Sequence, residues 1–170
     1  GMTVLHDLEV EYVVLDRYKM PGGLERTYTT ELASAIFHNR PAVYEDERIT
    51  VYRVDSPQTA LPYAMLGALN WGPLTTTDGS ETARALLGPT EITLHHLPAD
   101  ARLRLRYRTA GDASARVTIG PATYELTAAS GGTAFTAPLG SLPAADGGTV
   151  AIAPSGPGEI LIEEIEILAP

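Results

Sequence analysis

Trp71, the only tryptophan of the chain, offers the clearest binding chemistry in the sequence. It stands in an Asn-Trp-Gly-Pro segment that we predict at the edge of a loop, with Tyr63 shortly before it and Asp78 in the next turn. An aromatic face stacks well on the apolar side of a sugar ring, while Asn and Asp side chains hydrogen-bond to the hydroxyls. We therefore predict a carbohydrate-binding set of Trp71, Asn70, Tyr63 and Asp78. The alternative is that Trp71 plugs one end of a β-sandwich.

The histidines and the acidic turns give little support to a metal site. His95 and His96 are adjacent in a predicted strand, so their side chains point to opposite faces and do not bind one metal ion together. Asp78 and Asp146 lie in glycine-containing turns that could line a structural calcium site, although acidic residues there are more often turn formers. Apart from that calcium ion, the sequence predicts no cofactor and no metal.

Four arginines alternate with apolar residues between Arg102 and Arg108. In a strand this spacing puts the guanidinium groups on one face and Leu103, Leu105 and Tyr107 on the core side. Such a face could bind an anion. In an acidic chain we favour a solvated face with ion pairs. The chain has 12 Lys and Arg against 21 Asp and Glu, a net charge of −9, which argues against nucleic acid as a partner.

No enzyme template matches the sequence. It contains no Gly-x-Ser-x-Gly elbow, no phosphate-binding glycine loop, no His-Glu-x-x-His, no dinucleotide fingerprint and no cysteine. The adjacent carboxylates Glu45, Asp46 and Glu47 stand in a predicted turn with nothing to desolvate them. We therefore predict no catalytic residue and keep a glycosidase-like carboxylate pair as a lesser alternative.

The elements that must position these residues divide the chain into two parts. Residues 1–56 are predicted to form a small α/β unit, with a strand over 11–15, a helix over 24–38 that ends at Asn39, and a hairpin of strands 42–44 and 48–54. We expect the three strands to share a sheet that the helix covers on one face.

Residues 57–170 show short alternating segments between turns rich in Gly, Pro, Asp and Ser, and no helical periodicity. This pattern indicates an antiparallel β-sandwich of the jelly-roll, galactose-binding-like kind. The predicted strands are residues 60–69, 83–87, 91–97, 102–109, 115–119, 122–127, 133–137, 149–153 and 159–168. The predicted fold class is therefore mainly β, a sandwich preceded by a small α/β unit with one helix.

The strand over 159–168 changes phase in its middle. Its four isoleucines occupy two different alternations that meet at Glu163-Glu164. A β-bulge there would bury all four on one face and leave Glu159, Glu166 and one or both of the adjacent glutamates in solvent. The arginine strand would then be a natural cross-strand partner.

Three segments of the first 55 residues resemble a known membrane-protein family. They are Tyr12-Val-Val-Leu-Asp-Arg17, Pro21-Gly-Gly23, and the run from Pro41 to Val54. They resemble the extracytoplasmic segment after the last membrane helix in bacterial polytopic glycosyltransferases related to protein mannosyltransferases. The resemblance covers residues 10–55, while residues 83–107 resemble the strands of galactose-binding-like jelly rolls. It implies an extracytoplasmic location, a membrane-embedded parent protein, and a glycan or glycosylation acceptor as partner. It carries over no catalytic residue, because that family's catalytic residues lie in membrane-associated parts.

Our hypothesis from the sequence is a non-catalytic, extracytoplasmic accessory domain of a membrane-anchored, glycosyltransferase-like envelope protein that binds carbohydrate. A structural or protein-interaction domain is the alternative. A small glycoside hydrolase is the third hypothesis.

Overall fold

The computed structural model describes residues 1–16, 23–77, 81–127, 133–143 and 147–170. Contacts divide the chain into two units, Gly1–Leu61 and Pro62–Pro170. The boundary that we predicted from the sequence, between residues 56 and 57, lies in a segment without regular secondary structure.

The described part of the first unit contains two helices and a three-stranded sheet. Helix α1 spans Met2–Asp7, strand β1 Tyr12–Asp16, helix α2 Gly23–Ile36, strand β2 Tyr44–Glu45 and strand β3 Ile49–Arg53. The strand order is β1-β3-β2, and both pairs are antiparallel. The predicted order of strand, helix and hairpin is therefore confirmed, and the three strands share one sheet as predicted.

Helix α2 ends at Ile36, two residues before the predicted end at position 38, and Asn39 follows in a turn. Asn39 takes a left-handed φ of 61°, which Asn tolerates better than most residues. Directly after the helix, Phe37 is buried and its ring stacks on that of Tyr52 in β3, with 4.4 Å between the ring centroids. This contact packs the segment directly after α2 against the sheet. None of the described helices is long and apolar enough to span a membrane.

The sequence predicted one helix in the first unit, and helix α1 is a second one that was not predicted. It has six residues and no side-chain hydrogen bond at its N-cap. Thr3 is buried, and its hydroxyl accepts a hydrogen bond of 3.1 Å from the backbone N–H of Leu61. So short a helix depends on tertiary contacts rather than on a local pattern, which is why periodicity did not reveal it.

The described part of the second unit contains ten strands. They are β4 Tyr63–Leu66, β5 Trp71–Thr77, β6 Glu81–Leu86, β7 Thr90–His95, β8 Arg102–Gly111, β9 Ser114–Ile119, β10 Ala122–Leu126, β11 Thr133–Pro138, β12 Gly148–Ser155 and β13 Gly158–Leu168. Sheet I has the order β10-β9-β12-β7-β4, and sheet II has the order β11-β8-β13-β6-β5. All neighbouring strands are antiparallel. The predicted antiparallel sandwich is confirmed, with β12 and β13 as the middle strands of the two sheets.

The hydrophobic core consists of one face of each sheet. Alternation along the strands turns every second side chain inward. Sheet I contributes Ile92, Leu94, Val117, Ile119, Val150 and Ile152, and sheet II contributes Leu103, Leu105, Tyr107, Ile160 and Ile162. Burial of each side chain of this size contributes about 1.5–3 kcal/mol. The outward-facing residues of both sheets are therefore not needed for the core.

Strand β5 corrects the predicted strand list. The sequence indicated one strand over 60–69 and placed Trp71 at a loop edge, whereas Trp71 begins β5. Pro73 interrupts the local strand signal, but β5 is an edge strand, where a residue without an N–H is tolerated. The pairing of β5 with β6 is irregular between Trp71 and Leu74.

Strand β13 contains the predicted bulge. Ile162 pairs with Tyr107 and Glu164 pairs with Arg106 of β8, so Glu163 is the extra residue. Ile160 and Ile162 are buried, and the other two isoleucines, at positions 165 and 167, pack against the same core. The predicted pairing of the arginine strand with the C-terminal strand is also confirmed.

Candidate functional site

A groove of 460 Å³ lies on sheet I, and all of its lining residues belong to the second unit. Three adjacent strands, β7, β12 and β9, form it together with the loop between β4 and β5. Ligand sites are typically concave surfaces of about this size with a few polar groups in a largely apolar lining. This groove is therefore the candidate site.

Small side chains on the middle strand create the groove. Ala151 and Ala153 of β12 face outward, because the residues that alternate with them point into the core. Ala151 lies opposite Glu91 on β7 and opposite Thr118 on β9. Two methyl groups between longer side chains leave a trough with an apolar floor and polar walls.

Arg116 and Glu91 place opposite charges on the two sides of this floor. Arg116 pairs with Ala153 on β12 and with Glu125 on β10, and its Nε donates to the Glu125 carboxylate at 3.2 Å. A guanidinium group carries five N–H donors, and this contact uses one of them. With one carboxylate and one guanidinium among its described lining residues, the groove suits an uncharged ligand with many hydroxyl groups.

Two loops, residues 67–70 and 87–90, form a braced rim at the edge of the groove. Asn70 takes a left-handed φ of 65°, and a Cβ on Gly88 would lie only 3.1 Å from the Asn70 side chain. Four hydrogen bonds fix the loops: Gly67 N–H to Glu91 O at 2.7 Å, Leu87 N–H to Asn70 O at 2.8 Å, Asn70 Nδ2 to Pro89 O at 2.6 Å, and Thr90 Oγ1 to Leu69 O at 2.8 Å. The rim is therefore preorganised.

Trp71 does not line the groove. It belongs to sheet II, its side chain packs against the core, and its indole Nε1 is buried without a hydrogen-bond partner among the described residues. Of the two interpretations given for Trp71, this packing is compatible with a side chain that plugs one end of the sandwich.

Of the other residues in the predicted carbohydrate set, the structure describes Tyr63 and Asn70. Tyr63 is in β4 of sheet I, where its ring stacks on that of His95 with 4.6 Å between centroids, and it does not line the groove. Asn70 braces the rim, so it is the one described member of the set that reaches the edge of the groove. Asp78 and the calcium candidate Asp146 lie outside the described residues.

His95 and His96 do not alternate as predicted. Strand β7 ends at His95, and His96 takes a left-handed φ of 53°. Both rings therefore come near Tyr63, at 4.6 and 6.0 Å between centroids. In the described ranges, no group of three or more His, Cys, Asp or Glu residues is placed to hold a metal ion.

The arginine face of β8 forms ion pairs with β13. The Glu163 carboxylate lies 3.4 Å from Nε of Arg106 and also contacts Arg108. Its side chain is only 2% exposed, while the adjacent Glu164 is exposed to solvent as predicted for at least one of the pair. This face therefore corresponds to the favoured alternative of ion pairs rather than to an anion site.

Comparisons with known proteins give fold similarity alone. No family model and no curated protein matches the sequence. One similar solved structure is the CBM36-1 domain of a multidomain xylanase from the hindgut metagenome of Trinervitermes trinervoides, with a TM-score of 0.44, 14% identity, and coverage of 65% of this chain and 98% of that domain. Another is the carbohydrate-binding module TmCBM61 in complex with β-1,4-galactotriose, with a TM-score of 0.42, 8% identity, and coverage of 64% and 88%. The predicted association with a membrane-embedded, glycosyltransferase-like protein stays a prediction.

Proposed function

We propose that the unit Pro62–Pro170 is a non-catalytic carbohydrate-binding domain whose site is the groove on sheet I. The observation that carries this proposal is the flat alanine floor between Glu91 and Arg116. A sugar ring has apolar C–H faces and hydroxyl groups at its edges. Such a ring fits an apolar floor with hydrogen-bonding side chains on both sides.

The charges of the groove favour an uncharged saccharide over an acidic one. Arg116 is already paired with Glu125, and Glu91 adds a second carboxylate nearby. An anionic ligand would meet more negative than positive charge here, whereas hydroxyl groups accept from guanidinium and donate to carboxylate equally well.

Binding without catalysis is the function that the lining supports. Glu91 is the one carboxylate among the described lining residues, and glycoside hydrolysis ordinarily uses two that face each other across the scissile bond. We therefore place the hydrolase hypothesis behind binding. The extracytoplasmic location and the link to a membrane-embedded glycosyltransferase-like protein remain part of the proposal through the sequence resemblance of residues 10–55.

Affinity electrophoresis in gels that contain soluble neutral polysaccharides tests the proposal. We expect retardation by at least one polysaccharide of the panel, and a loss of roughly tenfold to a hundredfold in Arg116→Ala, since a hydrogen bond to a charged group contributes about 1.5–3 kcal/mol. Ala151→Leu should block the floor. Thr123→Leu is the matched control, because Thr123 faces outward on edge strand β10 and does not line the groove.

Retardation that persists unchanged in both groove variants would place the binding elsewhere. Absence of retardation by every neutral polysaccharide would reject the carbohydrate proposal. A change in oligomeric state that Ala151→Leu abolishes would instead favour the protein-interaction alternative.

A further inference from the structure

The rim of the groove presents two leucines to solvent on a rigid support. Leu69 is 72% exposed and Leu87 is 66% exposed. Single exposed leucines are ordinary on protein surfaces. These two flank Asn70, one before it in sequence and the other hydrogen-bonded to its carbonyl oxygen at 2.8 Å. The rim therefore joins two exposed apolar side chains at one place.

The hydrogen bonds of the rim keep these leucines from turning inward. Asn70 Nδ2 donates to Pro89 O, and the Thr90 hydroxyl donates to Leu69 O. The backbone on both sides of each leucine is thus fixed from the opposite loop. A preordered apolar surface loses little conformational freedom when a ligand covers it, which favours binding.

The apolar rim is continuous with the groove and its polar walls. Leu69 and Pro89 line the groove together with Thr118, Glu91 and Arg116. A ligand that fills the groove and extends past Leu69 would meet an aliphatic surface directly beside a set of hydrogen-bonding groups. The site thus has one part for hydroxyl groups and one for hydrocarbon.

We propose that the ligand is a saccharide that carries an aliphatic substituent, with the sugar in the groove and the chain on Leu69 and Leu87. This inference rests on the proposed function and specifies its ligand class. A second copy of this chain fits less well, because two leucines fall far short of the roughly 800 Å² per partner of a stable interface.

Titration with methyl, butyl and hexyl β-D-glucosides and β-D-galactosides, below their micelle concentrations, tests the chain dependence. The readout is the shift of the backbone amide signals of Leu69, Leu87 and Thr118 in NMR spectra. A buried methylene contributes up to about fourfold in affinity. On a partly solvent-exposed rim we expect about twofold per methylene, so that the hexyl glycoside, with five more methylenes, binds about thirtyfold more tightly than the methyl glycoside.

Leu69→Ser and Leu87→Ser should each reduce the advantage of the hexyl chain. Leu87 does not line the groove, so Leu87→Ser should also leave methyl glycoside binding unchanged. Leu8→Ser is the control, because Leu8 is similarly exposed, at 55%, in the first unit. The Thr118 amide signal reports that the fold of each variant is intact.

Equal affinity for methyl and hexyl glycosides would overturn this inference and leave the proposed function standing, provided that Arg116→Ala abolishes the shifts. A chain-length effect that persists in both leucine variants would also overturn it. If no glycoside shifts the signals, the inference fails, while retardation by polysaccharides decides the proposed function separately.

Discussion

The Glu163 carboxylate lies 3.4 Å from Nε of Arg106, and the bulge in β13 is what places it there. The extra residue of the bulge puts two consecutive glutamates on the arginine side of the sheet. One of them, Glu163, is covered by the arginines, while its neighbour Glu164 remains in contact with solvent. Both carboxylates contact Arg106, yet they differ strongly in their burial.

Replacement of this covered carboxylate should be costly. Glu163→Gln keeps the shape but removes the negative charge that faces Arg106 and Arg108. Removal of one member of a fully buried pair costs 3–5 kcal/mol, and because the arginines are partly solvated we expect a loss of about 2 kcal/mol. Urea unfolding followed by Trp71 fluorescence measures it within the second unit. In the control, Glu166→Gln, the side chain is 39% exposed and the loss should stay below about 1 kcal/mol. Equal losses would contradict the assigned difference in burial.

Gly158, at the start of β13, should not tolerate a side chain. Its φ is 137°, and a Cβ there would overlap the carbonyl oxygen of Ala110, a backbone atom that cannot swing away. We expect Gly158→Ala to destabilise the second unit by roughly 3 kcal/mol. Gly140→Ala is the matched control, since no atom lies within 4 Å of a Cβ at that position. Similar unfolding midpoints for the two variants would refute the clash.

The phenol of Tyr107 should link stability to pH at the alkaline end. Burial raises the pKa of Tyr107 above its ordinary value of 10.0. The folded state therefore holds this proton more tightly than the unfolded chain does. The resulting stabilisation is fully present below about pH 10 and is lost as the pH rises through the folded-state pKa. Tyr107→Phe should be less sensitive than the wild type above about pH 10 when unfolding free energies are compared from about pH 8 to pH 11. Parallel curves over that range would show that this phenol does not contribute.

Asn70 should matter through both its backbone and its amide. Asn70→Gly keeps the left-handed φ but loses the bond to Pro89 O, for a cost of about 1 kcal/mol. Asn70→Ala adds the strain of a left-handed residue, which is a further 1 kcal/mol or so. Unfolding free energies should therefore rank wild type above Asn70→Gly and Asn70→Ala last. Asn39, in the first unit, has a similar φ of 61°. Asn39→Ala therefore introduces the same kind of strain away from the groove, and as the control it should leave saccharide binding unchanged. A reversed order of the two Asn70 variants would contradict the strain.

The features that were predictable from sequence are those encoded within one segment. The phase change at Glu163-Glu164 is visible in ten consecutive residues, and it led to the correct bulge and faces. The left-handed φ of Asn39, shortly after the end of α2, likewise reflects a local preference of this residue type. Helix α1 was missed because it depends on the contact between Thr3 and Leu61, which are far apart in sequence. Strand β5 was missed because Pro73 is acceptable only at a sheet edge, and edges follow from strand order.

The candidate groove required information from several segments at once. The alternation around Ala151 marks its methyl group as outward-facing, and that signal was available. The sequence of β12 alone does not reveal that Arg116 and Glu91 lie on the two strands that pair with it. From the sequence we instead predicted Trp71 because of its residue type, but its side chain packs against the core. Of the predicted residues, Asn70 came close to the groove, through its role in the rim.

The middle strand of both sheets comes from one short stretch of chain, because β12 and β13 follow each other over residues 148–168. Strands β9 and β10 cannot join β7 and β4 until β12 is inserted between them, and the same holds for β8 and β6 around β13. During synthesis on a ribosome, the preceding strands therefore emerge with unpaired edges, and these edges stay unpaired until residues 148–168 have been added. Such non-local pairing is slow and leaves apolar edges open during synthesis. Assembly of the sandwich thus requires residues 148–168, and a stop before residue 148 would leave both sheets split.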